Sequence, residues 1–244
     1  MNIYFRQIFH WLAPNRCHLC NKCCALGPLC AVCNLTQSSF VETDFPTRCP
    51  RCFNHFAPDG RCVQCTVDAP PYTHHFYLFS YAGRAKRIIR CMKYRPSKGV
   101  AKLLGEFAAA KFLESSRLEI DQDLMIIPMP ASPELLQVRG FNQSQIIAEE
   151  ISLALRGKTL SKIEKSTLMF KKKTAPQTSL SRTKRLRNRK NAFIVDSKEI
   201  KQKRVLLIDD VMSTGATAHG ATRAILSAGA KTVTFFCIAK NVEG

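Results

Sequence analysis

Eight cysteines between positions 17 and 65 fall into four CxxC pairs: Cys17/Cys20, Cys30/Cys33, Cys49/Cys52 and Cys62/Cys65. No other feature limits the fold so strongly. The second four repeat the first four at an offset of 32 residues, and an arginine, Arg16 or Arg48, opens each half. The segment is therefore a duplicated unit, RCxxC-x9-CxxC. Two residues between cysteines let a tight knuckle turn both thiolates toward one ion, and a second knuckle completes a tetrahedron of sulfur around Zn²⁺. Such a site is closed to water, so its role is structural. Two zinc ions are expected. Pairing within each repeat leaves each unit complete by itself; a cross-braced pairing of first knuckle with third is the other arrangement the spacing allows. Knuckles this small bury little apolar surface, and the metal supplies their folding energy. Cys23 and Cys24 lie outside the repeat and read as spare thiols. His18 stands between two ligands, but its counterpart is Pro50, which argues against ligation. Cys91 and Cys237 lie in apolar stretches and read as core residues.

The first fourteen residues, MNIYFRQIFHWLAP, carry Arg6 and His10 inside their apolar stretch, and no small-residue cleavage site follows. They do not read as an export signal. Phe5, Ile8, Trp11 and Leu12 share one helical face, which predicts a short amphipathic helix over 1–14, packed on the body of the protein with membrane contact as the alternative. No run of 18 apolar residues occurs, so no membrane span is expected. Together these readings predict a cytoplasmic, reducing setting, where paired cysteines hold metal rather than disulfides.

Three parts are expected: the helix over 1–14, a double zinc ribbon over 15–68, and a larger domain over 72–244 after the join Asp68-Ala69-Pro70-Pro71. In the larger domain, Ile88, Ile89 and Met92 fit one helix, and Val100, Leu103, Leu104 and Phe107 another. Leu124–Ile127 reads as a buried strand, Ile147, Ile151 and Leu155 as a helix face, and Val205–Ile208 as a second strand. A helix over about Ala216–Ser227 ends at Gly229, and a β-branched, aromatic strand follows over Thr232–Ile238. Strands alternating with helices over short connections define an α/β fold with a parallel sheet. Ligands of such sheets sit outside the carboxyl ends of the strands.

That location holds VLLIDDVMSTGATA, Val205–Ala218. An apolar strand ends in adjacent carboxylates, Asp209 and Asp210, and the turn Ser213-Thr214-Gly215-Ala216-Thr217 enters a helix. Small residues let backbone N–H groups approach an anion, hydroxyls add donors, and the helix dipole favours negative charge. The two carboxylates suit vicinal hydroxyls. A site that takes both a diol and a phosphate describes a ribose 5-phosphate. It is not a Walker A loop, since no GxxxxGK[ST] occurs.

The segment resembles the phosphoribosyl-pyrophosphate (PRPP) motif of type I phosphoribosyltransferases, and the chain as a whole resembles the ComF/GntX family, which joins N-terminal zinc-binding cysteines to such a domain. The likeness extends to Lys93-Tyr94, Ile127-Pro128-Met129-Pro130, Arg139-Gly140-Phe141-Asn142-Gln143, and Gln177 with Arg185, Asn188 and Phe193. Met129 stands where the family often has Val, and Arg189 and Asn191 depart from its usual pattern. The resemblance implies that Asp209 and Asp210 hold the ribose hydroxyls and that Ser213, Thr214, Gly215, Ala216 and Thr217 hold the 5-phosphate. It also implies that the loop with Pro128 and Met129 meets the pyrophosphate, and that Arg139 joins the two aspartates as a catalytic residue. The basic segment around 171–190 would be the loop that closes on the leaving group. Mg²⁺ bound with PRPP, together with mobile Lys and Arg donors, would stabilise a departing pyrophosphate. No segment announces an acceptor. Residues of about 72–100 are the candidate acceptor hood, and His74 and His75 within them read as surface residues.

The net charge of +19 is not spread evenly. Residues 156–190 contribute +12, with 13 basic residues against Glu164, and residues 84–102 contribute eight basic residues and no acidic one. That density exceeds what one small ligand needs and fits a phosphate backbone, with aromatic rings to stack bases. The candidate nucleic-acid-binding residues are Lys171, Lys172, Lys173, Arg182, Lys184, Arg185, Arg187, Arg189 and Lys190. The family's association with natural competence implies single-stranded DNA reaching the cytoplasm, with DNA-uptake or recombination proteins as further partners. Two readings follow: a competence-type DNA-handling protein with a PRPP-binding domain, or a Mg²⁺-dependent phosphoribosyltransferase acting on an unknown acceptor with no DNA role.

Overall fold

The computed structural model describes residues 16–22, 24, 28–33, 49, 51–52, 56–95, 97–114, 123–156, 162–163, 168–170, 193–196 and 199–241. The apolar runs Leu124–Pro128 (β2), Arg204–Met212 (β6) and Thr232–Lys240 (β7) form strands beside β1 (His74–Ser80) and the short β3 (Lys162–Ile163). Their order is β1-β7-β6-β2-β3, and every pair is parallel. Helices α1 (Val63–Asp68), α2 (Gly83–Tyr94), α3 (Lys98–Glu114), α4 (Pro133–Arg139), α5 (Gln143–Leu155) and α6 (Ala216–Ser227) complete the described elements, with a separate antiparallel pair, β4 (Leu168–Phe170) and β5 (Phe193–Val195).

Period-two alternation divides the strand side chains between two cores. Leu206 and Ile208 of β6, with Leu124 and Ile126 of β2, pack against Ile88, Leu104 and Ile147 of α2, α3 and α5. Val205, Leu207, Met125 and Ile127 pack on the other face with Ala221 and Ile225 of α6. Both faces are covered, which is why the strands read as unbroken apolar runs rather than as alternating ones. From β2 the chain crosses to β3 by way of α5, and from β6 it crosses the opposite way to β7 by way of α6. The connections diverge between β2 and β6, which opens a crevice at their carboxyl ends.

The cysteine knuckles are built onto this body. Cys17, Cys24, Leu29 and Cys33 belong to the same core as Ile88, Val100 and Leu104. The Cys91 thiol donates to the carbonyl of His18 at 2.9 Å. The second knuckle pair is tied elsewhere: Arg51 donates to the carbonyls of Pro70 and Tyr72 at 2.6 and 3.2 Å, and Lys240 donates to that of Cys52 at 3.0 Å.

Three expectations need correction. Residues 74–80 are not part of a hood that precedes the sheet; they form its edge strand, in register with β7 from His74↔Thr234 to Ser80↔Lys240. His75 is not a surface residue but 1% exposed, packed on Tyr72 and Phe235 with Nε2 3.5 Å from the sulfur of Cys237. Burial holds its imidazole well below the usual histidine range, so it sits there neutral. Strand β6 also runs on past Asp210 to Met212, because Val211 and Met212 still pair with Ala239 and Lys240.

Candidate functional site

The eight repeat cysteines gather as two clusters, Cys17/Cys20/Cys30/Cys33 and Cys49/Cys52/Cys62/Cys65, and within each the sulfurs lie within 4.8 Å of one another. The pairing is therefore within each repeat. Cys20–Cys30, Cys49–Cys65 and Cys52–Cys62 sulfurs stand 3.7, 3.6 and 3.3 Å apart. A tetrahedron with Zn–S bonds of about 2.3 Å has edges of about 3.8 Å, so each cluster has the size and donor set for zinc. Burial raises the Cys17 thiol, but N–H groups of Cys30, Cys20 and Leu19 outweigh it and bring it down to about 6. Cys33 is pushed up to about 12 by burial and then by its neighbouring thiols. A divalent cation at the centre removes that conflict. Cys24 stays outside the cluster: it is buried, its sulfur donates to the Lys22 carbonyl, and burial raises its thiol. Cys23 lies outside the described residues.

The crevice between β2 and β6 is assembled from four segments. Helix α5 starts at Asn142, whose Oδ1 accepts from the Ser144 amide at 3.1 Å and whose Nδ2 donates to the Met129 carbonyl at 2.9 Å. One side chain thus caps the helix and ties down the loop after β2. The Met129 amide donates to Ile208 at 2.7 Å, so that loop is pinned from both sides and this N–H is already committed. Pro128 pairs in register with Ile208. From α5, Ser144 donates to Asp209 Oδ1 at 3.2 Å, and the Asp210 amide donates to the same oxygen at 2.8 Å. From α2, Lys93 Nζ lies 3.0 Å from Asp210 Oδ1. Burial, and then the negative Asp210 beside it, raise the Asp209 carboxyl to about 7.

Beyond the pair, Ser213 and Thr214 are exposed and Gly215 is buried at φ +77, the left-handed region that favours glycine. As the N-cap of α6, Gly215 offers no side-chain acceptor to the first helical amides. Thr214 Oγ1 accepts from the Ala216 amide at 3.5 Å, and the amides beyond it, with the helix dipole, are what a phosphate requires. Arg139 ends α4, and its Nη1 donates to Gln143 Oε1 at 3.3 Å. Gln143 is buried, and its Nε2 has no hydrogen-bond partner among the described residues, which leaves a donor beside the crevice for a polar ligand.

The structure therefore brings together Asp209, Asp210, Pro128, Met129, Ser213–Thr217 and the end of the RGFNQ stretch, with Arg139 attached through Gln143. The residues chosen for nucleic acid, Lys171, Lys172, Lys173, Arg182, Lys184, Arg185, Arg187, Arg189 and Lys190, lie outside the described residues, as does the helix expected over 1–14. No role was read for Lys93, Asn142 or Ser144. All three lie in or next to motifs that carried the family likeness, which was the available signal.

The parallel sheet with a carboxylate pair and a helix N-terminus at its switch point has a phosphoribosyltransferase-like architecture, and residues 140–244 match the family described as "Phosphoribosyl transferase domain". Along most of its length the chain is similar to bacterial DNA-utilisation and competence proteins, as its ComF/GntX resemblance implied. It is 29% identical over 236 residues to DNA utilization protein YhgH of Escherichia coli O6:H1, covering 94% of this chain and 98% of the relative. It is 26% identical over 234 residues to Competence protein F of Haemophilus influenzae, with 80% and 98% covered. Against Competence protein ComFC of Bacillus subtilis it is 25% identical over 200 residues, with 79% and 78% covered. Among solved structures, the allosteric regulatory enzyme of purine biosynthesis aligns with 63% of this chain at 18% identity and a TM-score of 0.42, and the chain spans 30% of that enzyme. No helix among the described residues is long and apolar enough to cross a membrane.

Proposed function

We propose that this chain is a ComF-like DNA-handling protein of the cytoplasm that binds PRPP with Mg²⁺ in the β2/β6 crevice and single-stranded DNA on its basic surface. The observation that carries the reading is the Asp209/Asp210 pair beside the N-terminus of α6, whose N-cap is a glycine, since this sets carboxylate acceptors next to backbone amide donors. Asp209 and Asp210 accept the ribose 2- and 3-hydroxyls. Ser213, Thr214 and the first amides of α6 hold the 5-phosphate. The hard oxygen donors of the carboxylate pair suit Mg²⁺, which arrives with the diphosphate and neutralises its charge. Arg139, hydrogen-bonded to Gln143, supplies a guanidinium that would favour departure of the negatively charged diphosphate. Lys93 already neutralises Asp210, so the pair tolerates its own proximity before ligand arrives.

The DNA role is supported by the DNA-utilisation and competence relatives and by the charge excess, and the cytoplasmic setting by eight cysteines arranged for metal. A titration with PRPP–Mg²⁺ and with single-stranded DNA, separately and together, tests both halves. Asp210→Asn is expected to weaken PRPP and leave DNA affinity nearly unchanged. Equal loss of both would overturn the two-surface reading, and PRPP binding without any DNA binding would leave the phosphoribosyltransferase alone.

A further inference from the structure

Helix α2 presents a face for which the crevice has no use. Its inner side, Ala85, Ile88, Ile89, Cys91 and Met92, is buried in the core. Its outer side is formed by Lys86, Arg87, Arg90 and Tyr94, which at 100° per residue fall on one arc with Lys93. Tyr94 is 74% exposed, with the Arg90 guanidinium 6.0 Å from its ring centroid. Among the described residues, neither Arg87 nor Arg90 has an acidic partner, and no acidic residue occurs from 84 to 102. The stripe leads to Lys93, whose ammonium is on Asp210 at the crevice.

We infer that this face of α2 is a binding track for single-stranded nucleic acid, with Arg87 and Arg90 on consecutive phosphates and Tyr94 stacked on a base at the rim of the crevice. The inference rests on the DNA half of the proposed function and gives it a place in the described fold. Arginine forks match phosphate oxygens. A flat ring left out in solvent among cations is matched by the face of an unpaired base, which a duplex keeps stacked. The nine residues from Lys86 to Tyr94 rise about 12 Å, enough for a short run of nucleotides. An anionic membrane would also attract the cations, but the apolar side of the helix is committed to the core and Tyr94 alone would enter the bilayer.

The test is fluorescence anisotropy of the full chain with an oligo-dT 20-mer and with an abasic strand of equal length, across salt concentrations. Arg87→Glu/Arg90→Glu is expected to weaken dT binding at least about tenfold and to lower the salt slope by about 1.4, two contacts at about 0.7 each. Tyr94→Ala is expected to weaken dT binding about tenfold, leave the abasic strand unchanged, and be rescued by Tyr94→Trp. PRPP–Mg²⁺ thermal shifts of all variants are expected to match wild type, which reports that they are folded. An unmoved salt slope in the double variant, equal effects of Tyr94→Ala on both strands, or loss confined to phosphatidylserine vesicles would overturn the assignment while the DNA reading stands. A wild-type chain that binds neither strand would overturn the DNA reading itself.

Discussion

The Lys93 ammonium lies 3.0 Å from Oδ1 of Asp210, joining the last turn of α2 to the carboxyl end of the central strand β6. Both side chains are largely shielded, so the pair is worth more than a surface bridge and costs more to break. Lys93→Met is expected to destabilise the protein by about 2 kcal/mol, since it leaves two adjacent carboxylates without their cation. Adding Asp210→Asn should return part of that loss, a coupling of about 1 kcal/mol in a double-mutant cycle read by denaturant unfolding.

The Asp209 carboxyl, raised to about 7 from an ordinary value of 3.8, makes stability depend on pH in a defined direction. Between those values the folded state holds a proton that the unfolded state has released. Stability from this group is therefore full at pH 4 and is lost as pH rises to 7. Asp209→Asn removes the slope, and its advantage over wild type should grow from pH 4 to pH 7 by on the order of 2 kcal/mol. Melting curves of the ligand-free proteins across that range check it; an advantage that shrinks with pH would contradict the burial of this carboxyl.

Zinc content distinguishes the two pairings of the knuckles. Elemental analysis should give two zinc ions per chain, one in Cys17→Ser, one in Cys49→Ser, and none in the double variant; a cross-braced pairing would leave one in the double. Chelation should lower Tm by about 10 °C. Cys17→Ser should cost more stability than Cys49→Ser, because Cys17 and Cys33 share a core with α2 and α3.

Gly215 has φ +77, and a Cβ there would lie 2.6 Å from Met212 Cε and 3.1 Å from His219 Nε2. Gly215→Ala is expected to destabilise by about 1–2 kcal/mol and to weaken PRPP binding about tenfold by turning the first amides of α6. Isothermal titration at a temperature where the variant remains folded separates the two effects.

The elements legible in the sequence are those whose signal is local. The CxxC spacing, the apolar run Val205–Ile208 with its aspartates, and the turn into α6 each carry their meaning within a dozen residues. What escaped depends on distant partners. His74–Ser80 becomes a strand because β7 lies beside it, and His75 is buried because Tyr72, Phe235 and Cys237 surround it. Lys93 looks like one more cation of a basic helix until the fold sets it against Asp210, and Ser144 gains a role only when α5 packs against β6. The nucleic-acid role of the basic stretch 171–190 rests on charge and on resemblance, and charge reports a partner's sign rather than its place.

The strand order β1-β7-β6-β2-β3 also dictates a timetable. His74 finds its neighbour in Thr234, about 160 residues later, and the two strands at the middle of the sheet are the two made last. During synthesis β1 and β2 must wait, each with an unpaired edge, until β6 and β7 emerge to fill the gap between them. A chain with so large a share of its pairing deferred folds slowly and is exposed to aggregation while it waits. The metal knuckles, complete by residue 65, are the part that can be finished early, and they give α2 and α3 a surface to settle on before the sheet exists.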